Sequence, residues 1–238
     1  MVILSLDTTT RTGSCALLRD DRLLREHPGD PSRDLAERLP GDLAALLEGE
    51  GFALSAIDAF AVATGPGSFT GLRVGIATMQ GLAMAAARPL IGVSAFDALA
   101  ALTKGQHVAG SSVATWIDAW RGEVFAALYG EGGEPDAPVV AHPDTLLDRL
   151  EGKPVLFTGD GAALYEERIR ARLRDAARLT TPVAPLLAGA VARLARDAYT
   201  AGQRPLPHAI RPIYVRRSDA ELAAARKVGA GDQGSPGR

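Results

Sequence analysis

The chain has 238 residues, 47% of them hydrophobic, which is enough for buried cores in one large domain or two of ordinary size. A formal net charge of −2 argues against a strongly basic nucleic-acid-binding protein. The single cysteine, Cys15, excludes an internal disulfide and a cysteine-rich metal site, and it favours a reducing compartment. The sequence shows neither a signal-peptide pattern nor an apolar stretch long enough to span a bilayer, so we predict a cytoplasmic protein that does not enter a membrane.

The amino-terminal part of the chain predicts a β-meander followed by a helix. Residues 2–6 and 14–18 are apolar runs of strand length, and residues 22–27 are a third candidate strand. Asp7 stands at the end of the first run. Residues 33–48 carry leucines at helical spacing, which predicts an amphipathic helix with one buried face.

The most distinctive stretch is GPGSFTGLR at residues 65–73, which joins a predicted strand at 57–63 to a predicted helix at 74–87. Its glycines allow a close approach of the backbone, and the first amide groups of a helix attract anions. The spacing matches neither a Walker A loop, nor a dinucleotide fingerprint, nor a nucleophile elbow. The stretch is therefore either a tight turn or an anion-binding loop, and Ser68 is predicted to be a cap or turn hydroxyl rather than a nucleophile.

The helix predicted at 74–87 contains no charged residue. Ala77, Gly81 and Ala85 recur every four residues and predict a shallow groove into which another helix could pack closely. A helix that is apolar nearly all round has to be covered on every side. Either this chain's own sheet and helices cover it, or another protein covers part of it.

The second half of the sequence repeats the scheme of the first after a polar linker at 104–111. LDTTTRTGSCALL at 6–18 and IDAWRGEVFAALY at 117–129 each predict a strand, an aspartate at its end, a turn with glycine and a return strand. This similarity predicts a duplicated α/β chain. Later in the second half, helices are predicted at 162–173 and 183–200, and the strand-to-helix turn at 159–161 is too short a signal to predict an anion site. The two aspartates, Asp7 and Asp118, either hold a magnesium ion through water or bond their own turns.

Chemistry that a metal or a nucleophile would need is missing from the sequence. No histidine lies three or four residues from another, so no helix offers a pair of imidazole ligands on one face. We therefore predict no histidine metal centre and no activated nucleophile in this chain.

Four stretches together resemble the bacterial TsaB (YeaZ) family: LSLDTTT at 4–10, GPGSFTGLRVGIATMQGLA at 65–83, DAWRGEVFAALY at 118–129 and RPIYVR at 211–216. The resemblance implies an α/β fold of the actin, sugar-kinase and heat-shock-chaperone superfamily (ASKHA), with two lobes related by duplication. We place a partner-binding lobe at 1–104 and a second lobe at 105–203. A segment at 204–217 is expected to pack back on the first lobe, and a tail at 218–238 is expected to be disordered.

The resemblance also implies a role in making threonylcarbamoyladenosine at position 37 of tRNA. In that pathway the chain would be a non-catalytic subunit that orders the transferase TsaD together with the ATPase TsaE. It would bind tRNA only through the complex, pair with a second copy of itself when alone, and need no cofactor of its own, with ATP or ADP bound at an interface in the complex. The alternatives are an actin-like ATPase and an inactive glycoprotease-like homologue with its own nucleotide site.

Two sets of site residues follow from these expectations. Helices of the first lobe are expected to pair with the partner through Leu35, Leu39, Leu43, Arg73, Ile76, Ala77, Met79, Gly81 and Met84. A vestigial nucleotide or anion loop would comprise Asp7, Thr8, Gly65, Gly67, Ser68, Gly71 and Asp118.

Overall fold

The computed structural model describes residues 1–107 and 109–215, and within them the strands form two five-stranded mixed sheets. In chain order the elements are β1 (Val2–Asp7), β2 (Ser14–Arg19), β3 (Arg22–Pro28), α1 (Leu35–Gly49), β4 (Ala59–Ala63), α2 (Phe69–Ala85), β5 (Leu90–Val93), α3 (Ala95–Leu102), β6 (Ser112–Asp118), β7 (Val124–Tyr129), β8 (Val139–Ala141), α4 (Pro143–Leu150), β9 (Val155–Thr158), α5 (Asp160–Leu164), α6 (Glu166–Leu173), β10 (Ala177–Leu179) and α7 (Ala188–Thr200).

The two sheets have the same topology. The first runs β3-β2-β1-β4-β5 and the second runs β8-β7-β6-β9-β10. In each sheet the central strand pairs antiparallel with the following strand and parallel with the fourth strand of its half. The predicted duplication of an α/β half is therefore confirmed. Helices α1 and α2 cover the outer face of the first sheet, and α4, α5 and α6 cover that of the second.

The side chains of β1 enter two different hydrophobic cores, because successive side chains of a strand point to opposite faces of the sheet. Leu4 and Leu6 pack outward with the buried leucines of α1 and with Met79 of α2. Ile3 points inward, to a core that lies between the sheets and is shared by both lobes. One continuous hydrophobic layer therefore joins the two halves.

Helix α7 packs on the first sheet, although it follows the last strand of the second. The Ser5 hydroxyl donates to the carbonyl of Ala188 at 2.7 Å, and the Ser14 hydroxyl accepts from the amide of Ala188 at 3.0 Å. Glu26 Oε1 accepts from the amide of Gly189 at 2.8 Å. These contacts satisfy the amino-terminal amides of α7 with side chains of β2 and β3. The boundary drawn at residue 203 therefore differs from the packing, which groups α7 with the first lobe.

The helices of the second half also differ from the predicted ranges. The single helix expected at 162–173 is divided into α5 and α6, which meet at Tyr165. The helix expected from residue 183 begins at Ala188, after Pro182 and Pro185. A proline has no amide hydrogen to donate and restricts the residue before it, which accounts for the later start.

The chain after α7 returns to the first lobe and lies along α2. Gln80 Nε2 donates to the carbonyls of Pro207 at 2.9 Å and Ile210 at 3.2 Å. The amide of Ile213 donates to the carbonyl of Thr64, just beyond the end of β4, at 2.7 Å. This carboxyl-terminal segment, residues 204–215, therefore covers one side of α2. Residues 216 and 217 and the tail predicted at 218–238 lie outside the described residues.

Two glycines let α2 pack directly against the turn that follows β1. A Cβ atom added at Gly71 would lie 2.4 Å from the carbonyl oxygen of Thr8, and one at Gly75 would lie 2.2 Å from the Thr8 hydroxyl. Thr8 is fully buried and its backbone continues β1, so it has little room to move. At Gly81, on the opposite side of the helix, an added Cβ atom would meet nothing within 4 Å.

We expect Gly71→Ala to lower the free energy of unfolding by about 1–3 kcal/mol, because the new methyl group overlaps a backbone oxygen. Gly81→Ala is the matched control, and it should raise the free energy of unfolding by about 0.5–1 kcal/mol through helix propensity alone. Urea denaturation followed by circular dichroism measures both changes. Equal effects of the two substitutions would show that the close approach of α2 to Thr8 does not constrain the fold.

Candidate functional site

The glycine-rich stretch forms the turn between β4 and α2. Helix α2 begins at Phe69, five residues before the start predicted at residue 74. Ser68 is its N-cap, since its hydroxyl accepts from the amide of Gly71 at 3.2 Å, as predicted for a cap rather than a nucleophile. Gly65 has φ +104, a conformation that side-chain-bearing residues rarely adopt.

The turn is packed against the first hairpin of the chain. The amide of Ser68 donates to the carbonyl of Thr9 at 2.8 Å, and a Cβ atom at Gly67 would lie 2.5 Å from the same oxygen. The hairpin thus occupies the space next to the glycines and uses one of the exposed amides. These contacts favour the tight-turn alternative. The anion-binding loop stays a prediction.

Asp7 faces a cleft between the lobes that has a volume of about 280 Å³. The carboxyl group is 3% exposed, and its Oδ1 accepts from the amide of Thr9 at 2.9 Å and from the hydroxyl of Thr9 at 2.7 Å. Burial raises the pKa of Asp7 from 3.8 to about 6, and the two hydrogen bonds from Thr9 oppose this shift. The negative charge of Asp160 adds to the rise in pKa.

Asp118 does not face Asp7 across the cleft. The cleft-facing side chain of β6 is Ile117, so Asp118, the next residue, points to the other side of the strand. Its Oδ1 accepts from the amide of Trp120 at 2.9 Å, which is the turn-bonding alternative considered for this residue. For Asp118 this bond favours the turn alternative, and the magnesium alternative stays a prediction. The second carboxyl group in the cleft is that of Asp160.

Asp160 was missed because its turn, between β9 and α5, looked too short to carry a site. It occupies the same topological position in the second lobe as the glycine turn does in the first, which is the signal that could have identified it. Its Oδ1 accepts from the amide of Asp118 at 3.2 Å and from that of Gly161 at 3.0 Å. Burial raises the pKa of Asp160, and the charge of Asp118 contributes to the rise.

Within residues 1–107 and 109–215, no group of three or more histidine, cysteine, aspartate or glutamate side chains could hold a metal ion. Within the same ranges, no helix is both long and apolar enough to cross a membrane.

The outer surface of the first lobe is formed by α1 and α2 side by side. On α2 the exposed positions are Phe69, Thr70, Arg73, Ala77, Gly81, Met84 and Ala85, and Met84 is 63% exposed. On α1 the exposed positions include four small or compact residues, Pro40, Gly41, Ala44 and Ala45. We call this surface, together with the half-buried Leu35 at its edge, the α1–α2 face. It is mostly uncharged and shallow.

Four residues expected at a partner interface belong instead to the core of the first lobe. Leu39 and Leu43 of α1 and Ile76 and Met79 of α2 are buried against the sheet. Their spacing identifies the apolar stripe of each helix, and in an amphipathic helix that stripe faces the chain's own core. The expected interface is therefore narrowed to the residues of the α1–α2 face.

An aromatic cluster missed by the sequence analysis lies at the amino-terminal end of this face. The guanidinium group of Arg73 lies 3.8 Å from the ring centre of Phe69, and Arg73 Nε donates to the hydroxyl of Tyr214 at 3.1 Å. The rings of Phe69 and Tyr214 are 5.3 Å apart, and the two residues are 40% and 44% exposed. Aromatic residues and arginine are enriched at protein interfaces. The cluster could not be foreseen because 141 residues separate Arg73 from Tyr214.

Comparison with known proteins gives consistent matches. A model of the TsaD family, described as tRNA N6-adenosine threonylcarbamoyltransferase, matches residues 26–224. The tRNA threonylcarbamoyladenosine biosynthesis protein TsaB of Bacillus subtilis is 31% identical over 175 residues, which cover 71% of this chain and 75% of the relative.

Solved structures extend the similarity to the fold. YeaZ from Pseudomonas aeruginosa is 33% identical, with a TM-score of 0.71 over 90% of this chain and 100% of the other. The activator of the 2-hydroxyisocaproyl-CoA dehydratase from Clostridium difficile, solved with bound ADPNP, is 10% identical, with a TM-score of 0.57 over 85% of this chain and 97% of that chain. Similarity at that identity concerns the fold alone. The expected two-lobed α/β fold is thus confirmed.

The buried carboxyl group of Asp7 makes stability depend on pH. Because its pKa is about 6 in the folded chain and 3.8 ordinarily, the folded state holds its proton more tightly and loses stability as pH rises from about 4 to about 6. The side chain introduced by Asp7→Asn keeps an oxygen that can accept hydrogen bonds from Thr9, but it cannot ionise. We expect it to raise the free energy of unfolding by about 2–3 kcal/mol at pH 8 relative to its effect at pH 4.

Urea denaturation of both chains at a series of pH values measures this difference. Asp175→Asn, at an exposed carboxyl group, is the control, and its profile should run parallel to that of the unmodified chain. A difference between Asp7→Asn and the unmodified chain that stays constant from pH 4 to pH 8 would contradict the buried, protonated state of Asp7.

Proposed function

Because this chain belongs to the TsaB family and so has a role in tRNA threonylcarbamoyladenosine biosynthesis, we propose that it acts there as a non-catalytic subunit that holds the transferase TsaD in its active assembly together with TsaE. The observation that carries this proposal is the mostly uncharged α1–α2 face. In the absence of TsaD the same face pairs with a second copy of the chain, and tRNA is bound only through the complex.

Helix α2 divides into an inner and an outer side. Ile76, Met79 and Ala83 are buried by the sheet and by α1, so the chain covers this side itself. Ala77, Gly81 and Met84 are exposed and follow one another along the outer side. An exposed helix surface without charged side chains is typical of a partner site, and small residues let a second helix approach its backbone closely.

The exposed apolar side chains give the face its binding energy. Complete burial of a methionine or phenylalanine side chain stabilises by about 1.5–3 kcal/mol, and Met84 is 63% and Phe69 40% exposed before any partner binds. The Phe69, Arg73 and Tyr214 cluster adds residue types that dominate interface energetics. A partner helix lying along Ala77 and Gly81 would cover all of these side chains.

The charge of the inter-lobe cleft supports a scaffold over an actin-like ATPase. Asp7 and Asp160 both line the cleft, and among the described residues that line it Arg11 is the one cation. Two carboxyl groups repel the phosphates of a nucleotide. We propose that the chain binds no nucleotide by itself, and that ATP or ADP binds in the complex where a partner contributes the positive charge.

The test is reconstitution of threonylcarbamoyl transfer with TsaD, TsaE and substrate tRNA, with and without this chain. We expect transfer to require the chain, and we expect the chain to co-purify with TsaD. Ala77→Glu and Gly81→Arg each place a charge in the middle of the α1–α2 face, where burial without a partner costs about 3–5 kcal/mol. Each should therefore abolish co-purification and transfer without lowering the thermal unfolding temperature.

Ala171→Glu is the matched control, since it puts the same charge on an exposed alanine of α6 in the second lobe. It should leave co-purification and transfer intact. Undiminished transfer with both α2 variants would refute the scaffold. Hydrolysis of ATP by the purified chain, lost on Asp7→Asn, would favour the ATPase instead.

A further inference from the structure

The second lobe contains a cavity of about 420 Å³ that the proposed function does not use. It lies between the outer face of the second sheet and α4, on the other lobe from the α1–α2 face. Its lining comprises Ala114, Trp116, Ala126, Ala127, Leu128, Asp136, Ala137, Val139, Leu146, Arg149, Leu150 and Lys153. Ligand pockets of proteins have volumes of about 300–1,000 Å³. The cavity is therefore large enough for a small molecule.

The duplication shows why the cavity exists. Helix α1 follows β3 and has 15 residues, whereas α4 follows β8 and has 8. The shorter helix leaves part of its sheet uncovered. The outward-facing residues of the central strand are Leu4 and Leu6 in the first sheet and Ala114 and Trp116 in the second. The second lobe thus lacks a helix end at the place where α1 covers the first sheet.

The chemistry of the cavity differs between its floor and its rim. The floor is apolar and includes Trp116, which is 1% exposed and packs edge-on against Phe157 with ring centres 5.2 Å apart. The rim carries two exposed cations, Arg149 and Lys153, and one exposed acid, Asp136. Within the described ranges neither Arg149 nor Lys153 forms an ion pair. Positive charge beside an apolar floor suits a ligand with an apolar body and an anionic group.

We propose that this cavity binds a small amphipathic anion, with an aromatic or short aliphatic body against its accessible apolar lining at Leu128 and Val139 and a carboxylate, sulfonate or phosphate between Arg149 and Lys153. A compact ligand fits better than a protein segment because the apolar floor is enclosed by α4 on one side and by residues 136–139 on the other. A charge on a rim contributes little by itself, so the anionic group orients the ligand and the floor supplies most of the affinity.

The probe is 1-anilinonaphthalene-8-sulfonate, and N-phenyl-1-naphthylamine is its uncharged counterpart with the same ring system. The chain has two tryptophans, so Trp120→Phe leaves Trp116 as the single donor of excitation energy to a bound probe. In this background we expect saturable energy transfer from Trp116 to both dyes. The double substitution Arg149→Gln and Lys153→Gln should weaken the sulfonate about fivefold to thirtyfold and leave the uncharged dye unchanged.

Two further variants fill or charge the cavity. Ala114→Leu places a larger side chain in the floor of the cavity and should weaken the binding of both dyes at least tenfold. Val139→Glu, at the exposed mouth, adds a negative charge without touching the core and should weaken the sulfonate alone. Leu164→Glu, on an exposed position of α5 outside the cavity, is the control and should change neither dye.

Loss of energy transfer in the cavity variants, with the control unchanged, would support the site. Absence of energy transfer from Trp116 in the Trp120→Phe background would overturn it. Equal affinity for the sulfonate in the unmodified and rim-substituted chains would also overturn it. So would dye binding that survives Ala114→Leu and Val139→Glu but is lost on Ala77→Glu, because the dye would then lie on the α1–α2 face.

Discussion

The contact between α2 and the turn after β1 determines how the first lobe is arranged. The glycine-rich turn and the start of α2 pack against Thr8 and Thr9 with no side chain between them, because the residues at the contact are Gly67, Gly71 and Gly75. Such a contact fixes the rotation of α2 about its axis, and with it which side of the helix meets the sheet. The outer side of α2, with Ala77 and Met84, is therefore left exposed. The exposed surface is thus a consequence of a buried contact.

Local patterns were sufficient to predict the fold but not all of its packing. The repeated order of strand, aspartate, turn and strand predicted the duplication, because each hairpin is encoded within a few neighbouring residues. The predicted start of α2 is too late because Thr70 and Gly71 have weak helix propensity. In the structure, the N-cap hydrogen bond of Ser68 outweighs this weak propensity. The position of α7 depends on Ser5 and Ser14, which are more than 170 residues away, and no local pattern reports such contacts.

Some residues of the candidate sites could also be predicted from local sequence, whereas others depend on distant parts of the chain. Ser68 could be assigned as a cap from its position alone, whereas the direction of Asp118 depends on the alternation of β6, and a shift of one residue turns a side chain to the opposite face. Hydrophobic spacing predicted the buried stripe of α1, but on the uncharged α2 it could not say that Met79 faces inward and Ala77 outward. That distinction needs the sheet, which forms from distant parts of the chain.

The return of the carboxyl-terminal segment to α2 has a consequence for biosynthesis. A ribosome that has made residues 1–104 has supplied every strand of the first sheet, yet α7 and the segment that binds Gln80 and Thr64 are still to be translated. Nascent first lobes therefore expose the surface that α7 will bury, and they mature only after residues 188–215 have been translated.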